Sequence, residues 1–264
     1  MLTDIDLATL ADRLRDAERD RAPIEPLTAS CQLTADDAYA IALRNVRRRR
    51  SPVVGHKVGL SSKAMQEMMG VHEPDYGHLL ADMRLAEDVP VDATRYCYPR
   101  VEMETAFLLG ADLPGEGCTE ADVLAATEAF APAIELIDSR IRDWRISLAD
   151  TIADNASSAG FVLGAARVAP ADIDVRHIEA SLWCGGQLVA HGRSDAVLGD
   201  PAVAVAWLAR KVAAFGVRLR AGHVILPGAC TRAIPVWPGE SYRATFDGLG
   251  EVALSFAPAP EADA

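Results

Sequence analysis

Apolar positions recur along this chain in two rhythms. Over residues 4–20, Ile5, Leu7, Leu10, Leu14 and Ala17 stand among charges at the three-to-four-residue spacing of an amphipathic helix. Thr34-Ala35-Asp36-Asp37 opens a second helix, with Thr34 as its cap, that runs to about Arg50 and breaks at Ser51-Pro52. Residues 53–60 read as a buried strand, 61–70 as a short capped helix closed by Gly70, and Pro74-Asp75-Tyr76-Gly77-His78 as a turn. Residues 99–110 form the clearest strand. Val101, Met103, Thr105, Phe107 and Leu109 share one face; Glu102, Glu104, Ala106 and Leu108 share the other.

Further along, Thr119 caps a helix to about Phe130, and residues 132–140 make a short apolar strand that carries Glu135 on the face of Ala133 and Ile137. Residues 141–151 read as helical or irregular. The small polar run Asp154-Asn155-Ala156-Ser157-Ser158-Ala159-Gly160 leads into a strand over 161–164, and reads either as a pocket wall or as an ordinary loop. From Ile178 the chain reads as sheet, with a two-residue hairpin at Gly185-Gly186. A helix starts at Asp200-Pro201 and runs to about Phe215, a strand covers 224–226, and strands over 242–246 and 252–256 pair across Asp247-Gly248-Leu249-Gly250. Frequent strands with scattered helices in no regular βαβ order predict an α+β fold. Residues 1–52 are expected as a helical portion packed on a β-rich catalytic core over 53–257, with a disordered Pro/Ala/Glu-rich tail over 258–264.

Composition narrows the function. A formal charge of −12 argues against a broad basic nucleic-acid surface. The one basic run, Arg47-Arg48-Arg49-Arg50, closes a helix, where it complements the dipole. No apolar run reaches the roughly 20 residues that span a bilayer. The acidic N-terminus lacks a signal-peptide pattern, and the five scattered cysteines form no C-x-x-C pair; both point to free thiols in a cytoplasmic protein.

The candidate chemistry lies on the glutamate face. Two carboxylates side by side on a face that continues apolar are costly unless a positive group lies between them. Glu102, Glu104 and Glu135 make an all-oxygen set, which suits a hard cation, Mg²⁺ or Mn²⁺. The competing reading pairs these glutamates with some of the chain's many arginines. Lys57 is one of only three lysines, with Lys63 and Lys211, and lies between Gly55 and Gly59. It is either a cation that another group approaches closely across those glycines or an edge-strand lysine reaching solvent. Asp75 either shapes its turn or moves protons. His72 and His78 lack a second pair at metal-ligand spacing.

Several segments carry a resemblance: Gly55-His56-Lys57-Val58-Gly59-Leu60-Ser61-Ser62-Lys63, Pro74-Asp75-Tyr76-Gly77, Arg100-Val101-Glu102-Met103-Glu104, Ala133-Ile134-Glu135-Leu136-Ile137-Asp138-Ser139-Arg140 and Asp154-Asn155-Ala156-Ser157-Ser158. In order and spacing they resemble the 2-keto-4-pentenoate hydratase and 4-oxalocrotonate decarboxylase family, within the fumarylacetoacetate hydrolase superfamily. The resemblance implies the superfamily's β-rich roll with an N-terminal helical portion. It implies Mg²⁺ or Mn²⁺ on Glu102, Glu104 and Glu135, catalytic positions at Lys57 and Asp75, and substrate contacts at Ser158, Lys63 and Thr231. It also implies a small 2-keto or 2-hydroxydienoic acid substrate from meta-cleavage of aromatic or steroid rings, a homo-oligomer, and association with other enzymes of that pathway. Hydration of 2-hydroxypenta-2,4-dienoate to a 4-hydroxy-2-oxoacid is the favoured activity. 4-Oxalocrotonate decarboxylation, a superfamily C–C hydrolase and a non-catalytic partner subunit are the alternatives. One departure bears on substrate choice: Pro227-Gly228-Ala229-Cys230-Thr231-Arg232 stands where family members usually carry Ser-Gly and small residues.

Overall fold

In the computed structural model, which describes residues 2–259, helices begin where short oxygen-bearing side chains satisfy free backbone amides. Thr3 caps α1 (Asp4–Asp20) and Thr34 caps α2 (Ala35–Arg48), each in a capping box with the aspartate three residues on. The arginines at the end of α2 do more than complement its dipole. Arg48 bonds Asp12 at 2.6 Å, and Arg44 and Arg49 bond Asp4 and Glu18, so they tie α2 to α1. Leu10, Leu14, Tyr39 and Ile41 of these helices share one apolar cluster with Val101 and Phe107.

β1 (Val53–Gly59) is followed by α3 (Lys63–Met69), capped by Ser62 and closed by a left-handed Gly70. The segment expected as a turn is instead a strand, β2 (Asp75–Leu80), in which Asp75 pairs with Gly59 and Tyr76 with Val58. A neighbouring strand with open hydrogen bonds outweighs the local turn preference of Pro, Asp and Gly. β3 (Arg100–Leu109) follows. The helix expected to reach Phe130 stops earlier: α4 (Glu120–Ala126) gives way to β4 (Thr127–Ile137), whose first residues pair with the end of β3. Pro132 stands inside β4 opposite Thr105. It lacks an N–H, but its carbonyl still accepts from the Gly164 N–H at 2.9 Å. α5 (Leu148–Ala153) and β5 (Ser158–Leu163) come next. β6 (Glu179–Cys184) and β7 (Gln187–Arg193) form the expected hairpin, with Gly185 and Gly186 both at positive φ. α6 (Pro201–Ala213), β8 (Val224–Leu226), β9 (Ile234–Pro235), β10 (Ser241–Phe246) and β11 (Gly250–Ser255) complete the chain. Residues 260–264 of the expected tail lie outside the described residues.

The large sheet runs β2-β1-β8-β3-β4-β5, with β9 on β3; a second sheet runs β11-β10-β6-β7. The large sheet curls until its two edges meet. The Leu85 N–H, just past β2, donates to Phe161 O on β5 at 2.8 Å. The Asn155 side chain completes the seam like a strand residue: it accepts from the His78 N–H at 2.8 Å and donates to His78 O at 3.0 Å. The result is a roll with an inside and an outside, within an α+β fold. Leu79, Ala106, Ala131, Ala133, Phe161 and Leu226 fill the inside as one apolar cluster. The outside belongs to a second, larger cluster, which includes residues of α2, α6 and the small sheet.

Candidate metal and substrate site

The register of the roll places the glutamates. Glu102 pairs directly with Glu135 across β3 and β4, and Glu135 pairs with Phe161 of β5. Because alternate side chains share a face, Glu102, Glu104 and Glu135 point to the inside, above the apolar filling. One carboxylate oxygen of each lies within 4.8 Å of the others. Glu104 and Glu135 are buried, and Glu104 Oε1 and both Glu135 oxygens lack a hydrogen-bond partner among the described residues. The remaining Glu104 oxygen accepts from the Gly228 N–H at 2.7 Å. No arginine forms an ion pair with any of the three among the described residues, so the competing reading of the sequence is not what the fold adopts.

Lys57 is no edge-strand lysine. β1 lies between β2 and β8, and the ammonium is buried 3.5 Å from Glu135 Oε1. The two flanking glycines serve different neighbours. A Cβ on Gly55 would meet the backbone of β8, whereas a Cβ on Gly59 would lie 2.1 Å from Asp75 Oδ1. Gly59 thus admits the Asp75 carboxylate to the inside of the roll. Gly77, which pairs with Lys57, does the same for Ser158: a Cβ there would come within 2.6 Å of Ser158 Oγ and 2.3 Å of Asn155 O. Ser158 Oγ is buried and unpartnered among the described residues.

Electrostatics follow from this crowding. Burial raises the pKa of Glu102, partly countered by Lys57 and Arg100. Burial, with Glu135 and Glu102 adding to it, holds Glu104 well above the carboxylate range. Burial pushes Glu135 up to about 7 against the pull of Lys57. Asp75 is raised by burial, with Lys57 opposing. Burial works against the charge on Lys57, yet the surrounding carboxylates, Glu135 foremost, keep its proton above the ordinary lysine value. A cluster of this kind holds its negative charge only when a cation joins it.

The structure brings together Glu102, Glu104, Glu135, Lys57, Asp75 and Ser158. It leaves Lys63 exposed in the first turn of α3, and it turns the Thr231 hydroxyl to Arg232 O at 3.4 Å. His72 is exposed, and His78 faces the outside of the roll, away from the glutamates. Three further members stand in segments the sequence singled out, without a role assigned to them there. Gly228 supplies a backbone donor to Glu104. Cys230 lies against Met103 O at 3.6 Å, its thiol pushed up to about 12 by burial and by Glu104. Arg100 stands on the Glu102 face, one pair further along, with its guanidinium 4.3 Å from the Trp144 ring centroid. Arg100 is signalled in the sequence by keeping the alternation of Glu102 and Glu104, and Gly228 and Cys230 by the departure at residues 227–232.

A curled sheet that gathers three carboxylates beside one buried lysine has the donor set of a site for a hard divalent cation. The model of the fumarylacetoacetate (FAA) hydrolase C-terminal family matches residues 62–256, and the chain belongs to that family. It is 42% identical over 260 residues to 2-keto-4-pentenoate hydratase of Burkholderia vietnamiensis (strain G4 / LMG 22486), covering 97% of this chain and 99% of the relative. It is 40% identical over 256 residues to 2-hydroxyhexa-2,4-dienoate hydratase of Comamonas testosteroni, covering 95% and 97%. Among solved structures, 4-oxalocrotonate decarboxylase from Pseudomonas putida G7, complexed with magnesium and adipate, superposes with a TM-score of 0.93 at 34% identity over 97% of this chain and 99% of that one.

Proposed function

We propose that the protein is a metal-dependent hydratase that converts 2-hydroxypenta-2,4-dienoate, or a substituted analogue, to a 4-hydroxy-2-oxoacid. The observation that carries this is the Glu102, Glu104 and Glu135 set, with unpartnered buried oxygens converging within 4.8 Å beside a buried lysine. The donor set fits Mg²⁺ or Mn²⁺, since all three ligands are hard oxygens on rigid strands. When bound, such an ion supplies Lewis-acid stabilisation of negative charge on the substrate's C2 oxygen.

The chain's own groups do the rest. The enol hydroxyl of the substrate loses its proton and C5 gains one, giving a 2-oxo-3-enoate. Water then adds its oxygen at C4 and its proton at C3. Asp75, raised by burial and open at Oδ1, is the proton-transfer group. Lys57, held protonated, stabilises negative charge developing on the oxo-acid. Ser158 Oγ, free of protein partners, offers a hydrogen bond to the substrate. The same reading carries a homo-oligomer, association with other enzymes of aromatic catabolism and a cytoplasmic setting, the last in keeping with five free cysteines.

A product assay tests it. Purified protein is incubated with fresh 2-hydroxypenta-2,4-dienoate or 2-oxohex-3-enedioate, with Mg²⁺ or with EDTA. Loss of the dienoate absorbance with formation of 4-hydroxy-2-oxopentanoate, abolished by EDTA, is the expected result. CO₂ release from the dicarboxylate without hydration of the dienoate makes the protein a decarboxylase instead. No turnover of either, nor of longer-tailed 2-hydroxydienoates, overturns the assignment.

A further inference from the structure

We propose that Arg100, held against the face of Trp144, receives the C1 carboxylate of the substrate. This rests on the hydratase reading and adds to it the group that recognises the acid function. Four carboxylates (Glu102, Glu104, Glu135, Asp75) against one ammonium (Lys57) leave three formal negative charges inside the roll. A divalent ion offsets two, so an anionic substrate still meets a negative site unless another cation faces it. Arg100 is that cation. It pairs with Ile137 across β4, as Glu102 pairs with Glu135, so it shares the glutamate face. Same-face strand neighbours lie about 7 Å apart, within the span of an arginine side chain. Its guanidinium makes no hydrogen bond or ion pair with any side chain among the described residues.

The arginine is prepared for the role. Its guanidinium carbon lies over the Trp144 ring, 4.3 Å from the centroid, a cation–π contact that leaves its N–H groups without a side-chain partner among the described residues. Trp144 is in turn fixed by its Nε1–H donating to Tyr98 O at 3.2 Å, on a turn where Asp143 and Trp144 both adopt positive φ, 57° and 55°. A planar fork of donors packed against an aromatic face suits a carboxylate. The C1 carboxylate is the fitting partner because it is bonded to C2, whose oxygen has to face the glutamates. A carboxylate on the far end of the diene is not so constrained. The interior beyond the glutamates is filled by Leu79, Ala106, Ala131 and Leu226, so the rest of the substrate points away from that floor.

Binding of the unreactive 2-oxopentanoate, measured by calorimetry with saturating Mg²⁺, tests the proposal apart from turnover. Arg100→Gln is expected to weaken it by about 10- to 100-fold, the loss of a charge-assisted pair. Arg100→Lys, which keeps the charge and most of the packing, is expected to fall between the two. The neutral 2-oxopentanamide is expected to bind wild type and Arg100→Gln alike, a comparison that also controls for misfolding. Equal affinity of 2-oxopentanoate for wild type and Arg100→Gln overturns the proposal. So does a loss confined to 2-oxoadipate, which places Arg100 at the far end of the substrate. If wild type itself fails to bind 2-oxopentanoate, the hydratase reading falls together with this one.

Discussion

β1 and β2 bury polar side chains on both faces, and the two faces do different things with them. On the inside, Lys57 and Asp75 meet three carboxylates of β3 and β4. On the outside, the His56 and His78 rings lie 4.9 Å apart, with His223 5.7 Å from His56. Both His56 nitrogens and His78 Nε2 lack partners among the described residues. Burial pushes both histidines down, His78 to about 4, so both are neutral near pH 7; the groups that act on them are His223 and Arg47, with Asn155 Oδ1 against His78 Nδ1. Unpartnered buried nitrogen and oxygen therefore occur on either side of one sheet. What sets the inside apart is charge of both signs converging at one end of a roll, where a further cation completes the balance.

The largest effect should come from breaking that convergence. Glu104→Gln keeps the shape of the carboxyl and removes its charge. It is expected to lower kcat/KM by about a thousandfold or more, since a metal's charge stabilisation is worth several kcal/mol. Its effect on stability without metal should run the other way. Glu104 holds its proton more tightly in the folded protein than in the unfolded chain, so in EDTA wild type loses stability as pH rises above the ordinary glutamate value of about 4.5. The Gln variant lacks that loss and is expected to melt at a higher temperature than wild type at alkaline pH. A variant that retains activity within tenfold removes Glu104 from the metal set.

The inner face was largely legible in the sequence because strand alternation is strict: once residues 99–110 are a strand, Glu102 and Glu104 share a face, and the same parity places Glu135. Where a long-range partner decides the outcome, the sequence falls short. Pro74-Asp75-Tyr76-Gly77 carries turn chemistry, and only the open edge of β1 makes it a strand. Residues 127–130 continue a helical pattern and are drawn into β4 by the end of β3. The seam is the least legible part. Asn155, Ala156 and Ser157 adopt φ of 55°, 51° and 56° with no glycine among them. Such backbone costs roughly 1–2 kcal/mol per residue and persists only where surroundings impose it. Here those surroundings are the Asn155 bonds to His78 and the buried Arg140–Asp154 pair at 2.6 Å.

A smaller effect is expected on the outer face, visible only in acid. In the unfolded chain the His78 imidazole titrates near 6.5; in the fold it does so at about 4. Between these values the unfolded chain binds a proton that the folded one does not. Stability therefore falls as pH drops through that window and levels off below it, by about 3 kcal/mol in all. His56, lowered in the same sense, adds to the slope. Melting curves from pH 4 to 7 should show a shallower acid limb for His78→Gln than for wild type. Parallel limbs would mean that the pair is hydrated and titrates normally.

The smallest effect is the one that bears most directly on the contrast between faces. His56 is adjacent to Lys57 in the chain, yet its side chain points through the opposite side of the sheet, and neither ring nitrogen has a partner among the described residues. A buried polar group that makes no hydrogen bond contributes its desolvation cost and little else, so an apolar residue of similar size should replace it nearly neutrally. His56→Leu is expected to change the unfolding free energy by no more than about 1 kcal/mol and, since it touches nothing inside the roll, to leave kcat/KM within about twofold. Chemical denaturation and the dienoate assay on the same preparation measure both. A tenfold loss of activity with stability intact would show that the outer histidines reach the inner site through β1, and the roll would then have one coupled polar system rather than two independent faces.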